Sequence, residues 1–177
     1  MSRPVFQGTF FSSLLIIIAV HWLQGPAVTW SVGDVYPDST CTLSAQYPDS
    51  IRRWCGLIEH NAREHNLDPH LIAAVMLQES GGNPAALSKS GAVGLMQVMP
   101  RDGAAAQFIC RDGPCFANRP TMLELYNPGF NIAYGCRMLS GLVSKHGSLR
   151  EALKAYGPTD VGYTYADIVL SIYWRYQ

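Results

Sequence analysis

From Ile51 onward the apolar residues of this chain fall in steps of three and four, and nowhere do they alternate over the length of a strand. Same-face neighbours in a helix stand three or four residues apart, so this spacing predicts an all-α fold. Ile51, Trp54, Cys55, Ile58, Ala62 and His65 form the first stripe, with Asp49 or Ser50 placed to cap it and Asn66-Leu67 to end it. Asp68 and Pro69 supply an N-cap and a first-turn proline for a second helix with Ile72, Val75 and Met76 inside. Asn127-Pro128 opens a longer helix through Lys145 that Gly147 stops. Ser148 and Glu151 have the spacing of a capping box for the next helix, which carries Leu149, Ala152, Leu153 and Tyr156. Val161, Tyr165, Ile168, Val169 and Ile172 line one side of a last helix. In the middle, Gly81-Gly82, Pro84, Gly91, Gly94, Pro100 and Gly113-Pro114 leave room only for short turns, and this loop-rich segment is where a cleft can be built.

Residues 49–177 thus make one helical domain of roughly 130 residues. The 13 Lys+Arg balance 13 Asp+Glu and are dispersed, which excludes the basic footprint of a nucleic-acid partner. With 48% hydrophobic residues the chain is too apolar to be disordered. Residues 1–27 read differently: Arg3, then Phe10, Phe11 and the unbroken apolar run Leu14 to Val20, then Gly25-Pro26-Ala27, which is the order of a secretory signal. The run from Phe10 to Leu23 has 14 residues, short of the ~20 that span a bilayer, so a cleaved signal is favoured over a membrane anchor through residues 10–23. Export to the periplasm or to the extracellular face of the cell wall follows. Residues 28–48 hold Gly33, Pro37 and Pro48 without periodicity and read as a linker or leading arm.

The cysteines agree with an oxidising compartment. Cys41, Cys55, Cys110, Cys115 and Cys136 are too many for an ordinary cytosolic domain of this size. Two bridges among five cysteines can be drawn in fifteen ways. The short Cys110 to Cys115 interval is the favoured pair because Gly113-Pro114 makes the turn between them. Cys136 falls in line with Ile132, Leu139 and Val143 and reads as a small buried hydrophobe. Neither a Cys-x-x-Cys nor a His-x-x-x-His pair is present, so a zinc site is not expected.

Three residues beyond Met76, the buried stripe of the second helix reaches Glu79, just before Gly81-Gly82 breaks it. Desolvation disfavours an ionised carboxylate, and the negative end of a helix dipole acts in the same direction. Both should raise its pKa, the state a general acid needs near neutral pH. The alternatives are a side chain that reaches solvent past Gly81, or one paired with an arginine in the core.

Glu79-Ser80, followed by Gly91-Ala92-Val93-Gly94-Leu95-Met96-Gln97-Val98-Met99-Pro100, closely resembles the soluble lytic transglycosylase family. The likeness runs over about residues 50 to 175, through Leu67-Asp68-Pro69, Asn83-Pro84 with Ser88, Asn127-Pro128 with Asn131 and Gly135, Ala155-Tyr156, and Tyr165 with Val169-Leu170. It implies a lysozyme-like helical domain that acts on peptidoglycan glycan strands without a cofactor or metal, cleaving the β-1,4 bond between N-acetylmuramic acid and N-acetylglucosamine. Glu79 is then the single catalytic acid and later the base. The muramoyl C6 hydroxyl attacks C1 and leaves a 1,6-anhydro ring, so the second carboxylate of a hydrolytic glycosidase is not required. Asp102, Asp112, Asp160 and Asp167 remain acids that folding could bring into the cleft.

The resemblance also implies that Ser88, Gln97 and Met99 line the sugar subsites, with the Gln97 amide bonding an acetamido or hydroxyl group and Met99 packing on a pyranose face. Asn131, Tyr156 and Tyr165 stand at matching places of the same site. Read from the residues alone, Met99 suits core packing, and both tyrosines extend apolar stripes as core aromatics with satisfied hydroxyls. The chain departs from its relatives at Ala155-Tyr156-Gly157-Pro158, where the family reads Ala-Tyr-Asn-x-Gly; an asparagine that helps hold the saccharide is missing. Alternative functions are a hydrolytic muramidase of the same fold, a non-catalytic peptidoglycan-binding module, and a cell-wall opener serving a secretion or division apparatus.

Overall fold

A computed structural model describes residues 41–177. The expected signal or anchor and residues 28–40 of the expected arm lie outside the described residues. The helices are α1 (Asp49–Arg52), α2 (Cys55–His65), α3 (Pro69–Ser80), α4 (Met122–Leu125), α5 (Pro128–His146), α6 (Leu149–Tyr156) and α7 (Thr164–Tyr176). Their ends follow local chemistry. Asp68 caps α3 by accepting the His70 N–H at 2.8 Å, and Asn127 caps α5 by accepting that of Phe130 at 2.9 Å. Gly81 ends α3 and Gly147 ends α5 in the left-handed conformation, at φ 61° and 64°, where a side chain is costly.

The core is built around α3. Leu71 to Met76 are buried without interruption, so the middle of this helix is apolar all round and enclosed on every side. It packs against α2 and α7, while α5 packs on α2 and α6, and α6 on α7. Each fully buried Ile, Leu or Met contributes about 1.5–3 kcal/mol. The centre of α3 is therefore rigid, and its carboxyl end emerges from the core carrying Glu79.

The all-α reading holds, with one small exception. Ile109–Cys110 (β1) and Gly113–Pro114 (β2) pair antiparallel as a two-residue hairpin, closed by the Cys110–Cys115 disulfide. Strands this short carry no alternation to be read. Cys41–Cys55 is the second disulfide, and Cys136 is a buried free thiol.

Some local expectations are corrected. The stripe from Ile51 to His65 is two helices, broken at Arg53 and Trp54, although Ile51, Trp54, Cys55 and Ile58 are all buried. Neither Asp49 nor Ser50 caps it; the Pro48 carbonyl receives the N–H groups of Ile51 and Arg52. Residues 41–48 of the expected linker or leading arm are irregular and pack on the helices: Leu43 and Tyr47 are buried, and Glu59 accepts both the Thr42 N–H, at 2.9 Å, and its hydroxyl. The Cys41–Cys55 bridge stabilises this attachment by roughly 3 kcal/mol. Ser148 makes no side-chain cap and Glu151 accepts the Tyr163 hydroxyl, so no capping box forms there; one forms instead at Thr121 and Glu124. In α7 the inward residues are Tyr165, Ala166, Val169 and Tyr173, leaving Val161 and Ile168 exposed.

Candidate active site

Glu79 occupies the last turn of α3 and is half-buried. The next residue fixes that end of the helix. Ser80 Oγ donates to the Leu95 carbonyl at 2.8 Å and lies 3.2 Å from the Met76 carbonyl, while accepting the Gly82 N–H at 3.2 Å. The helix is thereby joined to the loop 91–100. From the other side Trp54 Nε1 donates to the Gly82 carbonyl at 3.0 Å. Gly82 must lack a side chain, since a Cβ would stand 2.1 Å from the Ser50 carbonyl oxygen.

Across from Glu79, α7 presents Tyr165. Its hydroxyl donates to Glu79 Oε1 at 2.5 Å. Burial raises the Glu79 pKa from 4.5 to about 7, opposed by the Tyr165 hydrogen bond, which favours the ionised form. Burial also pushes the Tyr165 hydroxyl far above its ordinary value, so it remains a donor. The Tyr165 ring can approach because residue 157 is glycine: a Cβ there would sit 2.4 Å from the ring.

The loop 91–100 forms the neighbouring wall. Val93 bridges both Leu87 and Val98, Gly94 stands at φ 79° and Gln97 at φ 45°. Gln97 Nε2 donates to the Gly94 carbonyl at 3.0 Å and the Ala86 carbonyl at 3.3 Å, which leaves the amide oxygen for a ligand. Ser88 Oγ accepts the Ala92 N–H at 2.9 Å and is half-buried, as is Met99. Tyr156 donates to the Met96 carbonyl at 2.9 Å, and its hydroxyl is raised by burial and by the nearby Glu79 charge. Glu79, Tyr165, Tyr156 and the Gly94-to-Gln97 turn thus form one cluster.

Asn131, expected among the sugar contacts, is placed elsewhere. It is 0% exposed, its Oδ1 accepts the Met96 N–H at 2.8 Å, and its Nδ2 donates to the Val93 and Leu125 carbonyls at 2.8 and 2.9 Å. Both donors are engaged and no ligand reaches it. It clamps the loop backbone from behind, against Gly94, where a Cβ would lie 2.3 Å from Nδ2. Sequence reasoning missed this role and that of Ser80. For Ser80 a signal existed, a serine in the last helical turn whose hydroxyl can bond the carbonyl four residues back.

Asp102 accepts the Met122 N–H at 2.8 Å, and Asp167 holds Arg150 at 2.6 and 2.8 Å. Asp112 and Asp160 are exposed.

Residues 56–161 match the family described as Transglycosylase SLT domain. The chain belongs to this family. Glu79, Ser88, Gln97, Met99, Asn131 and Tyr156 lie within the match, and Tyr165 lies just past it. Over 102 residues the SLT chain is 35% identical to the membrane-bound lytic murein transglycosylase E of Buchnera aphidicola subsp. Acyrthosiphon pisum, covering 58% of this chain and 45% of the relative. Over 88 residues it is 42% identical to the endo-type membrane-bound lytic murein transglycosylase A of Klebsiella pneumoniae subsp. pneumoniae, covering 50% and 42%. The chain therefore spans about half the length of these curated relatives. Among solved structures, an inactive mutant of the lytic transglycosylase Slt from Pseudomonas aeruginosa superposes with TM-score 0.51 and 23% identity, covering 66% of this chain and 22% of that one. At that identity the likeness concerns the fold alone.

Proposed function

We propose that this SLT domain is a peptidoglycan lytic transglycosylase with Glu79 as its sole catalytic acid and base. The observation that carries the reading is the Glu79 carboxyl itself: half-buried, raised to about 7 by burial, and held by the Tyr165 hydroxyl at 2.5 Å. Protonated Glu79 donates to the glycosidic oxygen between N-acetylmuramic acid and N-acetylglucosamine as the C1–O bond breaks. The resulting carboxylate, stabilised by the Tyr165 hydroxyl, accepts the proton of the muramoyl C6 hydroxyl as that oxygen bonds to C1. The proton lost in the first step is regained in the second, no water is consumed, and the product ends in a 1,6-anhydro ring. Intramolecular attack lowers the barrier by several kcal/mol relative to capture of a free nucleophile.

Ser88, the Gln97 amide oxygen, Met99 and Tyr156 serve as the saccharide wall in this reading, and Tyr165 positions the acid. Relatives named as membrane-bound murein transglycosylases support an envelope location with peptidoglycan as substrate, as does the apolar run at residues 10–23. Among the described residues no helix is long and apolar enough to cross a membrane. The test is Glu79→Gln, an isosteric amide that cannot protonate the leaving oxygen: release of soluble muropeptides from sacculi should cease, and activity within about tenfold of the parent would overturn the assignment.

A further inference from the structure

Arg119 is a half-buried cation that makes no ion pair among the described residues. Its backbone N–H closes a turn on the Phe116 carbonyl at 2.9 Å, just after the disulfide-closed hairpin. Its Nη1 donates to Met138 Sδ at 2.8 Å, and the guanidinium lies 5.7 Å from the Phe116 ring centre and 5.9 Å from that of Tyr134. Arg137 stands 4.5 Å from the same Tyr134 ring. Among the described residues the ion pairs are Arg63–Glu59 and Arg150–Asp167, so neither Arg119 nor Arg137 is neutralised. Glu124, near in sequence, is engaged by Thr121 and acted on by Arg101. Thioether sulfur is a weak acceptor, and ring faces attract the charge without occupying the five guanidinium donors.

The position of Arg119 connects it to the cluster around Glu79. Met138 lies one helical turn beyond Gly135 on α5, and a Cβ on Gly135 would stand 2.5 Å from Met96 Cβ and 3.2 Å from the Tyr156 hydroxyl. In a peptidoglycan strand the sugar rings are uncharged; carboxylates occur only on the lactyl group of muramic acid or on the peptide attached to it.

We propose that Arg119, assisted by Arg137, binds a substrate carboxylate carried by muramic acid, and so distinguishes that sugar from N-acetylglucosamine within the strand. The planar guanidinium suits a carboxylate through paired, charge-assisted hydrogen bonds. The carboxylate is either the free lactyl group of a peptide-stripped strand or a group of the peptide stem. This inference rests on the reading of the chain as a peptidoglycan enzyme.

Calorimetry on Glu79→Gln protein, which binds without turnover, separates the outcomes with three probes: a peptide-bearing N-acetylglucosaminyl-muramoyl disaccharide, the same disaccharide without peptide, and chitotetraose. Adding Arg119→Met, which keeps an apolar stem against Phe116 and Tyr134, should weaken binding of the carboxylate-bearing probe by at least about tenfold and that of chitotetraose by no more than about twofold. Arg119→Lys should recover part of the loss, and the exposed Arg137→Gln should reproduce it in smaller degree, so the result does not depend on one variant folding. Loss with the peptide-bearing probe alone assigns the stem; loss with the peptide-free probe alone assigns the free lactyl carboxylate, which the stem converts to an amide; loss with both shows that Arg119 takes a carboxylate from either source. Equal loss for all three probes, or no loss for either muramoyl probe, overturns the proposal. Failure of the Glu79→Gln protein to bind any probe would instead overturn the functional reading on which it rests.

Discussion

The Tyr165 hydroxyl donates to Glu79 Oε1 across 2.5 Å and joins the last helix to the end of the central one. A buried acid is thereby kept from holding its proton too firmly. Burial alone would carry the Glu79 pKa higher than about 7, and this bond lowers it.

Tyr165→Phe removes the bond and leaves the ring in place. The Glu79 pKa should then rise, because the ionised form loses its donor. The protonated acid is the starting form for catalysis, so the parent's rate should fall as pH increases through about 7. In the variant this limb should move to higher pH while the maximum rate drops by about tenfold. A pH–rate profile checks both effects; a limb that stays fixed or moves toward acid would contradict the assignment.

Glu79 also sets a pH dependence of stability. Between its ordinary value of 4.5 and about 7 the folded protein retains a proton that the unfolded chain has lost. Its raised pKa therefore favours the fold fully below the unfolded value and ceases to do so as pH rises through the folded value. The resulting penalty at alkaline pH is roughly 3 kcal/mol at most. Glu79→Gln, which cannot ionise, should melt above the parent at pH 8, with the difference shrinking toward pH 4.5. Thermal unfolding across that range is the measurement, and a difference independent of pH would contradict it.

Asn131 tests the division between binding and support. Asn131→Ala strands the Met96 N–H and two carbonyls behind the loop, which should cost about 2 to 4 kcal/mol in urea unfolding and reduce activity through the displaced turn. Lost saccharide affinity with unchanged unfolding would return Asn131 to the sugar contacts.

These two residues also mark how far the sequence could be read. Glu79 was legible because an acid on an apolar stripe is an anomaly visible within one helix turn. Asp68-Pro69 and Gly147 were legible for the same reason: caps and stops act on their immediate neighbours. The clamp by Asn131 was not, since its partners Val93 and Met96 are 38 and 35 residues away and an asparagine gives no indication of which carbonyl it will meet. Glu151 has the spacing of a capping residue, yet Tyr163 competes for its carboxylate once α7 folds back. Packing of Leu43 and Tyr47 escaped notice because two isolated apolar residues have no period. The break at Trp54 was hidden because the apolar phase continues through it.

The nucleophile is the central claim, and product chemistry tests it most directly. Asp102 is engaged with the Met122 N–H, Asp167 with Arg150, and Asp112 and Asp160 are exposed, so Asn at each of these four positions should retain most activity, whereas two-acid hydrolysis requires one of them to be nearly as damaging as Glu79→Gln. Mass spectrometry of sacculi digested by the parent protein should find muropeptides ending in 1,6-anhydro-muramic acid, lighter by one water than hydrolytic products. Chiefly reducing-end muramic acid would contradict the account and make the protein a hydrolase.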